Sequence, residues 1–182
     1  MFDNFVSSQI GLVHLLMASF ALIFGSFVLA DAKGTVFHRR VGYLYALSML
    51  GLNITALMIY RLFGRFGVFH WAAVVSLVTL LAGMIPVILR RPAKQWLGLH
   101  FNFMYWSVFG LYAAFVAEMA TRLPIRTAFS SVTTFFMMVG AATFATMLVG
   151  QIILLKYKKR WQNFGDAPNA EEKPFAPLEE ST

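Results

Sequence analysis

The sequence predicts an all-α integral membrane protein, built as a bundle of five transmembrane helices. Of its 182 residues, 59% are hydrophobic and only 13% are charged, whereas soluble domains carry about 25% charged residues. Five apolar runs are long enough to cross the hydrocarbon core, which takes about 20 helical residues. The runs are too long, and alternate too little, to be the strands of a membrane β-barrel.

The predicted spans are separated by short charged or turn-forming segments. Helices are the expected conformation because they satisfy every backbone polar group internally when they lie in lipid. Residues 1–162 are therefore predicted to form one transmembrane domain. Residues 163–182 are rich in Pro and acidic residues, which is typical of a flexible tail. The five spans cover about residues 8–30, 41–63, 67–89, 96–119 and 128–155.

The distribution of Lys and Arg predicts the orientation in the membrane. Ten of them flank the spans on one side and four on the other. The positive-inside rule then places the N-terminus outside and the C-terminus in the cytoplasm, as in a multi-pass protein of the cell inner membrane. Because these cations lie in short clusters between apolar runs, the net charge of +7 indicates topology and the lipid bilayer as partner, and no nucleic acid.

Four histidines are the best candidates for carrying chemistry. His14 and His70 fall near the outer ends of the first and third spans, and His38 and His100 near the inner ends of the second and fourth. Ionisable groups inside membranes are costly and are usually functional. Haem iron takes axial imidazoles, and helix bundles build cofactor sites between facing helices. The two depths at which the histidines lie predict two haem b sites, with these histidines as iron ligands. The predicted function is electron transfer between a quinol or other donor and a redox partner.

Other interpretations of the histidines remain open. His38 beside Arg39, and His70 beside Trp71, are also typical of a membrane interface, where the histidines would have a structural role. Zinc and copper also accept imidazole, but zinc needs three or four converging ligands, and these histidines lie at two depths. The chain has no Cys, which excludes thiolate sites.

A different class of function is a non-catalytic accessory or assembly subunit of a larger membrane complex. The first span carries a stripe of small residues that allows close approach of a helix or of a flat cofactor. A transporter is disfavoured because the spans show no clear inverted repeat. The stripe consists of Gly11, His14, Ala18, Ala21 and Gly25.

Two further polar residues lie within the predicted spans. Asn53 falls near the centre of the second span, on the same helical face as His38, Tyr45 and Tyr60. Glu118 is the only acidic residue in the spans. It is a candidate proton- or quinol-handling group, although Arg122 at i+4 equally predicts a helix ion pair.

The histidine segments resemble the DUF2306 family of bacterial membrane proteins. The resemblance rests on a His14 helix rich in small residues, on the motif 38–43 (HRRVGY), and on His100 opening a helix. It covers about residues 8–118 and implies a transmembrane topology. It also singles out His14, His38, Arg39, Gly42 and His100. The arrangement is similar as well to cytochrome b561-type bundles, which bind two haems through histidine pairs.

Overall fold

The computed structural model describes residues 9–60, 64–92, 95–122 and 132–162, apart from the side chains of residues 121, 122, 132 and 158–162. Within these ranges the chain forms five α-helices, and no described residue lies in a strand. The helices are α1 (Gln9–Ala30), α2 (Val36–Met58), α3 (Val68–Leu89), α4 (Trp96–Arg122) and α5 (Val132–Gln162).

All five helices are long and apolar enough to cross a membrane. Many of their large apolar side chains point away from the rest of the chain, for example Trp71 and Phe144. A surface of this kind is matched to lipid tails. The predicted fold class is therefore confirmed, and the chain is a multi-pass membrane protein in contact with the bilayer. The predicted tail, residues 163–182, lies outside the described residues.

The helix ends define two faces of the bundle. We call the face where α1, α3 and α5 begin the N-terminal face, and the face where α2 and α4 begin the opposite face. The assignment of the N-terminal face to the outside of the cell stays a prediction.

The ends of α2 differ from those of the predicted span because local hydrogen bonds and backbone conformation, rather than hydropathy, determine where a helix begins and ends. α2 starts at Val36 rather than at residue 41 because Thr35 caps it: the His38 amide donates to Thr35 Oγ1 at 3.0 Å. Such a cap satisfies one of the amides left unpaired at a helix start. α2 ends at Met58 rather than at residue 63, with Ile59 in an extended conformation.

The first four helices pack as a closed ring. α1 packs against α2, α2 against α3, α3 against α4, and α4 returns to α1. α5 packs against α4. In this arrangement α1 lies diagonally across the ring from α3, and α2 lies diagonally across from α4.

The centre of the ring is filled by side chains from all four of these helices. Tyr45 is fully buried, and its hydroxyl hydrogen-bonds to Ser107 Oγ at 2.9 Å. A Cβ atom on Gly25 would lie 3.1 Å from the Tyr45 ring and 3.3 Å from a Val108 methyl group. The small-residue stripe of α1 thus allows close helix packing at Gly25, and the space beside this glycine is occupied by protein.

Candidate functional site

The helix bounds place the four histidines at two depths. His14 is the sixth residue of α1 and His70 the third of α3, whereas His38 is the third of α2 and His100 the fifth of α4. At about 1.5 Å per residue, each lies about 3 to 8 Å from the start of its helix. His14 and His70 therefore share the N-terminal face, and His38 and His100 share the opposite face. The members of each pair lie on diagonally opposite helices.

His100 is held by the backbone of α3. Its Nδ1 lies 2.8 Å from the carbonyl oxygen of Gly83. A carbonyl only accepts, so Nδ1 carries the proton and the neutral ring has its lone pair on Nε2. Histidine ligands of metals are commonly oriented in this way, with the second nitrogen donating to a carbonyl. His100 therefore has the tautomer in which the Nε2 lone pair can bind a metal.

The close approach of α3 and α4 at Gly83 makes this hydrogen bond possible. A Cβ atom at position 83 would lie 2.8 Å from Met104 Sδ and 3.2 Å from Phe103 Cβ. Only glycine lets the α3 backbone come this near to α4 without displacing these groups. Gly83 thus has two effects: its lack of a side chain allows the close approach of α3 and α4, and its carbonyl accepts the hydrogen bond from His100.

His38 is a half-buried imidazole with one unsatisfied nitrogen. Its Nδ1 is buried and has no hydrogen-bond partner among the described residues. A buried polar atom without a partner is uncommon and costs about 1–3 kcal/mol. The histidines of the opposite face, His38 and His100, therefore differ in that only His100 has a hydrogen-bond partner for its Nδ1 among the described residues.

The turn between α1 and α2 positions His38. The Thr35 hydroxyl that caps α2 donates to the Asp31 carboxylate at 3.2 Å. Lys33 Nζ donates to three backbone carbonyls, those of Val28, Leu29 and Asp31, at 2.8, 2.8 and 3.0 Å. These bonds satisfy acceptors left unpaired at the end of α1.

Charge is concentrated around this turn. Burial lowers the pKa of Lys33, and the nearby Asp31 carboxylate partly opposes that effect. Arg39 and Arg40 follow His38 directly, and both are exposed. The opposite face thus carries two exposed arginines that follow His38 in the sequence.

His14 is oriented by α2. Its Nδ1 lies 3.0 Å from Thr55 Oγ1, and the Thr55 hydroxyl donates to the carbonyl of Gly51 at 2.8 Å. Because a hydroxyl has a single proton, Thr55 accepts from His14. His14 therefore has its proton on Nδ1 and its lone pair on Nε2, as His100 does.

His70 has the opposite tautomer. Its Nδ1 accepts from the amide of Gly67 at 3.1 Å, so a neutral ring carries its proton on Nε2. That nitrogen is buried and has no hydrogen-bond partner among the described residues. Ligation through Nε2 would require His70 to give up the Gly67 bond and move its proton. The iron-ligand role of His14 and His70 stays a prediction, and His70 fits it less well than His100 does.

The other predicted polar residues are placed as follows. Asn53 is buried, and its Nδ2 has no hydrogen-bond partner among the described residues. Glu118 is half-buried near the N-terminal face. The side chain of Arg122, its predicted ion-pair partner, lies outside the described residues.

The described residues contain no group of three or more His, Cys, Asp or Glu side chains arranged to hold a metal ion. A zinc site of three protein ligands is therefore not formed in the described part of the chain. A haem iron makes a smaller demand, because the porphyrin supplies four nitrogens and the protein only the axial ligands.

Sequence patterns missed the groups that orient the histidines. Gly83 contributes a carbonyl, which no side-chain motif reveals, and Thr55 orients His14 from a different helix. Thr35 was detectable, since a threonine three residues before His38 at a helix start is a typical N-cap.

Comparison with known proteins agrees with this architecture. The family model described as "Predicted membrane protein (DUF2306)" matches residues 11–154, a range that includes all four histidines. No curated protein matches the chain, and no solved structure matches it.

Proposed function

Because the chain belongs to the DUF2306 family, whose description specifies a membrane protein and no chemistry, we propose a function from the site itself. The protein is an electron-transfer protein of the inner membrane that holds a b-type haem between His38 and His100. The observation that supports the proposal is the position of His38 and His100 at similar depths on diagonally opposite helices.

The state of each ring supports axial ligation. The Gly83 carbonyl keeps the His100 proton on Nδ1, which leaves the Nε2 lone pair for iron. Nδ1 of His38 is buried without a hydrogen-bond partner among the described residues, and ligation through this nitrogen would compensate for the cost of leaving it unpaired. Bound there, haem iron would carry one electron by alternating between its ferric and ferrous states.

The surroundings of the pair suit the rest of a b-type haem. Its two propionate carboxylates need positive partners near a membrane face, and Arg39 and Arg40 offer guanidinium groups there. The Thr35 cap fixes the first turn of α2, and with it the backbone of His38.

The experiment is the visible spectrum of the purified chain, produced in cells supplied with a haem precursor. We expect a Soret band, and an α band after reduction with dithionite. Both should be lost or strongly shifted in His38→Ala and in His100→Ala. Asn102→Leu is the matched control, because Asn102 is exposed on α4 and its side-chain amide donates to the Gly98 carbonyl of the same helix.

A wild-type protein without either band would refute the proposal and favour the accessory-subunit alternative. A haem spectrum that survives both substitutions would also contradict it, because the ligands would then lie elsewhere.

A further inference from the structure

Two buried hydrogen-bond donors near the N-terminal face have no acceptor among the described residues. They are Nδ2 of Asn53 and Nε2 of His70. The two residues are only 3% and 4% exposed. Each unsatisfied donor costs about 1–3 kcal/mol, and polar groups buried without partners are rare. Two of them in one part of the bundle therefore point to a missing acceptor.

The proton on His70 Nε2 follows from its neighbours. The Gly67 amide occupies the lone pair of Nδ1, so the neutral ring is a donor at Nε2. The rings of Tyr60 and Phe66 lie 4.5 and 4.8 Å from the imidazole, centroid to centroid. These contacts fix the plane of the ring and therefore the direction of its N–H bond.

Asn53 faces the α3 side of α2. Gly51 and Thr55 face α1, where they contact Met17 and His14. Asn53 is two residues from Thr55, which places it about 160° around the helix from that contact. Tyr60, which follows the end of α2, contacts the ring of His70 on α3.

The two donors lie at similar depths on neighbouring helices. Asn53 lies five residues before the end of α2 and His70 two residues after the start of α3, which corresponds to a difference in depth of about 4–5 Å. Neighbouring helix axes are about 8–10 Å apart. A molecule one aromatic ring across, with an acceptor at each end, spans such a gap.

We infer that Asn53 and His70 form a binding site for a quinone. A quinone is flat and neutral and has two carbonyl acceptors, and it reaches a site inside the bilayer from the lipid itself. A carboxylate would be costly to bring into an apolar setting without a cation. Tyr60 and Phe66 are each 45% exposed, so aromatic rings line the lipid side of the site.

This inference identifies quinones as the substrate class of the proposed electron-transfer function. A role of the site in electron transfer rests on that proposed function, whereas quinone binding by Asn53 and His70 does not depend on it. A second haem on His14 and His70 would need the lone pair of His70 Nε2. His70 can therefore either donate a hydrogen bond to a quinone or ligate haem iron, but not both.

The test is isothermal titration of the full chain in lipid nanodiscs with a ubiquinone that carries a single isoprenyl unit, and protein-free nanodiscs as the blank. We expect saturable binding that weakens about tenfold in Asn53→Leu and in His70→Phe, since each removes one hydrogen bond. His70→Phe keeps an aromatic ring against Tyr60 and Phe66. Asn102→Leu should bind as the wild type does.

Stability separates a ligand site from a structural hydrogen bond. Asn53→Leu removes an unsatisfied polar group, so the quinone-free variant should unfold at the same temperature as the wild type or at a higher one. Marked destabilisation would show that a water or a protein group already satisfies Asn53, and would overturn the inference. Binding unchanged in both variants, or no saturable binding, would overturn it as well.

The same titration with His38→Ala distinguishes failure of this inference from failure of the proposed haem site. We expect quinone binding to be retained in this variant whether or not the wild type contains haem. Two haems per wild-type chain, with one lost in His70→Phe, would assign His70 to iron and overturn the quinone site alone.

Discussion

Replacing Gly83 with alanine tests whether close contact between α3 and α4 holds the candidate site together. A Cβ atom there would lie 2.8 Å from Met104 Sδ and 3.2 Å from Phe103 Cβ, whereas ordinary contacts begin at 3.4 Å. The shortfalls are 3.4 − 2.8 = 0.6 Å and 3.4 − 3.2 = 0.2 Å. The methionine sulfur can rotate away, but Phe103 Cβ moves only with the α4 backbone.

The expected cost follows from two opposing effects. Overpacking of this kind costs about 1–3 kcal/mol, and replacing a helical glycine with alanine returns about 1 kcal/mol. Gly42→Ala is the matched control, because a Cβ atom at that position on α2 meets nothing within 4 Å. Gly42→Ala should therefore show only the stabilisation from replacing a helical glycine. Gly83→Ala should be less stable than Gly42→Ala by about 1–3 kcal/mol.

The assay is unfolding in mixed micelles as the fraction of sodium dodecyl sulfate is raised, followed by circular dichroism. The difference between the two variants cancels most effects of the micelle. Equal unfolding free energies for Gly83→Ala and Gly42→Ala would refute the reasoning, because α3 and α4 would then not be in tight contact at this level.

Three other substitutions probe neighbouring contacts in the same unfolding assay. Thr35→Val should lower the unfolding free energy by about 1 kcal/mol because the α2 cap is lost, whereas Thr35→Ser should retain the cap and its stability. Equal losses in the two variants would contradict a stabilising role of the Thr35 hydroxyl. Tyr45→Phe should cost about 0.6–1.7 kcal/mol, the range for hydrogen bonds inside membrane proteins, and no loss would mean that the Ser107 bond adds nothing. Lys33→Met should destabilise the end of α1 by about 1 kcal/mol. Because burial lowers the pKa of Lys33 below 10.5, the folded chain binds this proton less tightly than the unfolded chain. The wild type should then gain stability relative to Lys33→Met as the pH rises through the folded pKa towards 10.5, and a falling difference in that window would contradict the sign.

The architecture could be predicted from sequence because it depends on composition over long windows. Twenty apolar residues in a row have few alternatives to a membrane helix, so the number of spans and the two histidine depths followed directly. Helix ends were less accurate, as at Val36, because a single hydrogen bond to Thr35 decides them rather than hydropathy.

The candidate site could be predicted only in part, because its chemistry depends on how each helix is rotated. Histidine spacing indicated which residues share a depth, but not that α2 and α4 lie diagonally across the ring. The tautomers of His70 and His100 depend on a backbone amide and a backbone carbonyl, at Gly67 and Gly83. Backbone groups are the same in every sequence, so no motif reveals these partners.

Electron paramagnetic resonance of the oxidised, purified protein tests the central claim most directly, because the signal reports both axial ligands of a ferric haem. The proposed site predicts a low-spin signal typical of two imidazole ligands, which His38→Ala and His100→Ala each abolish or convert to high spin. A protein without a ferric haem signal, or one whose low-spin signal persists in either variant, would contradict a haem held between His38 and His100.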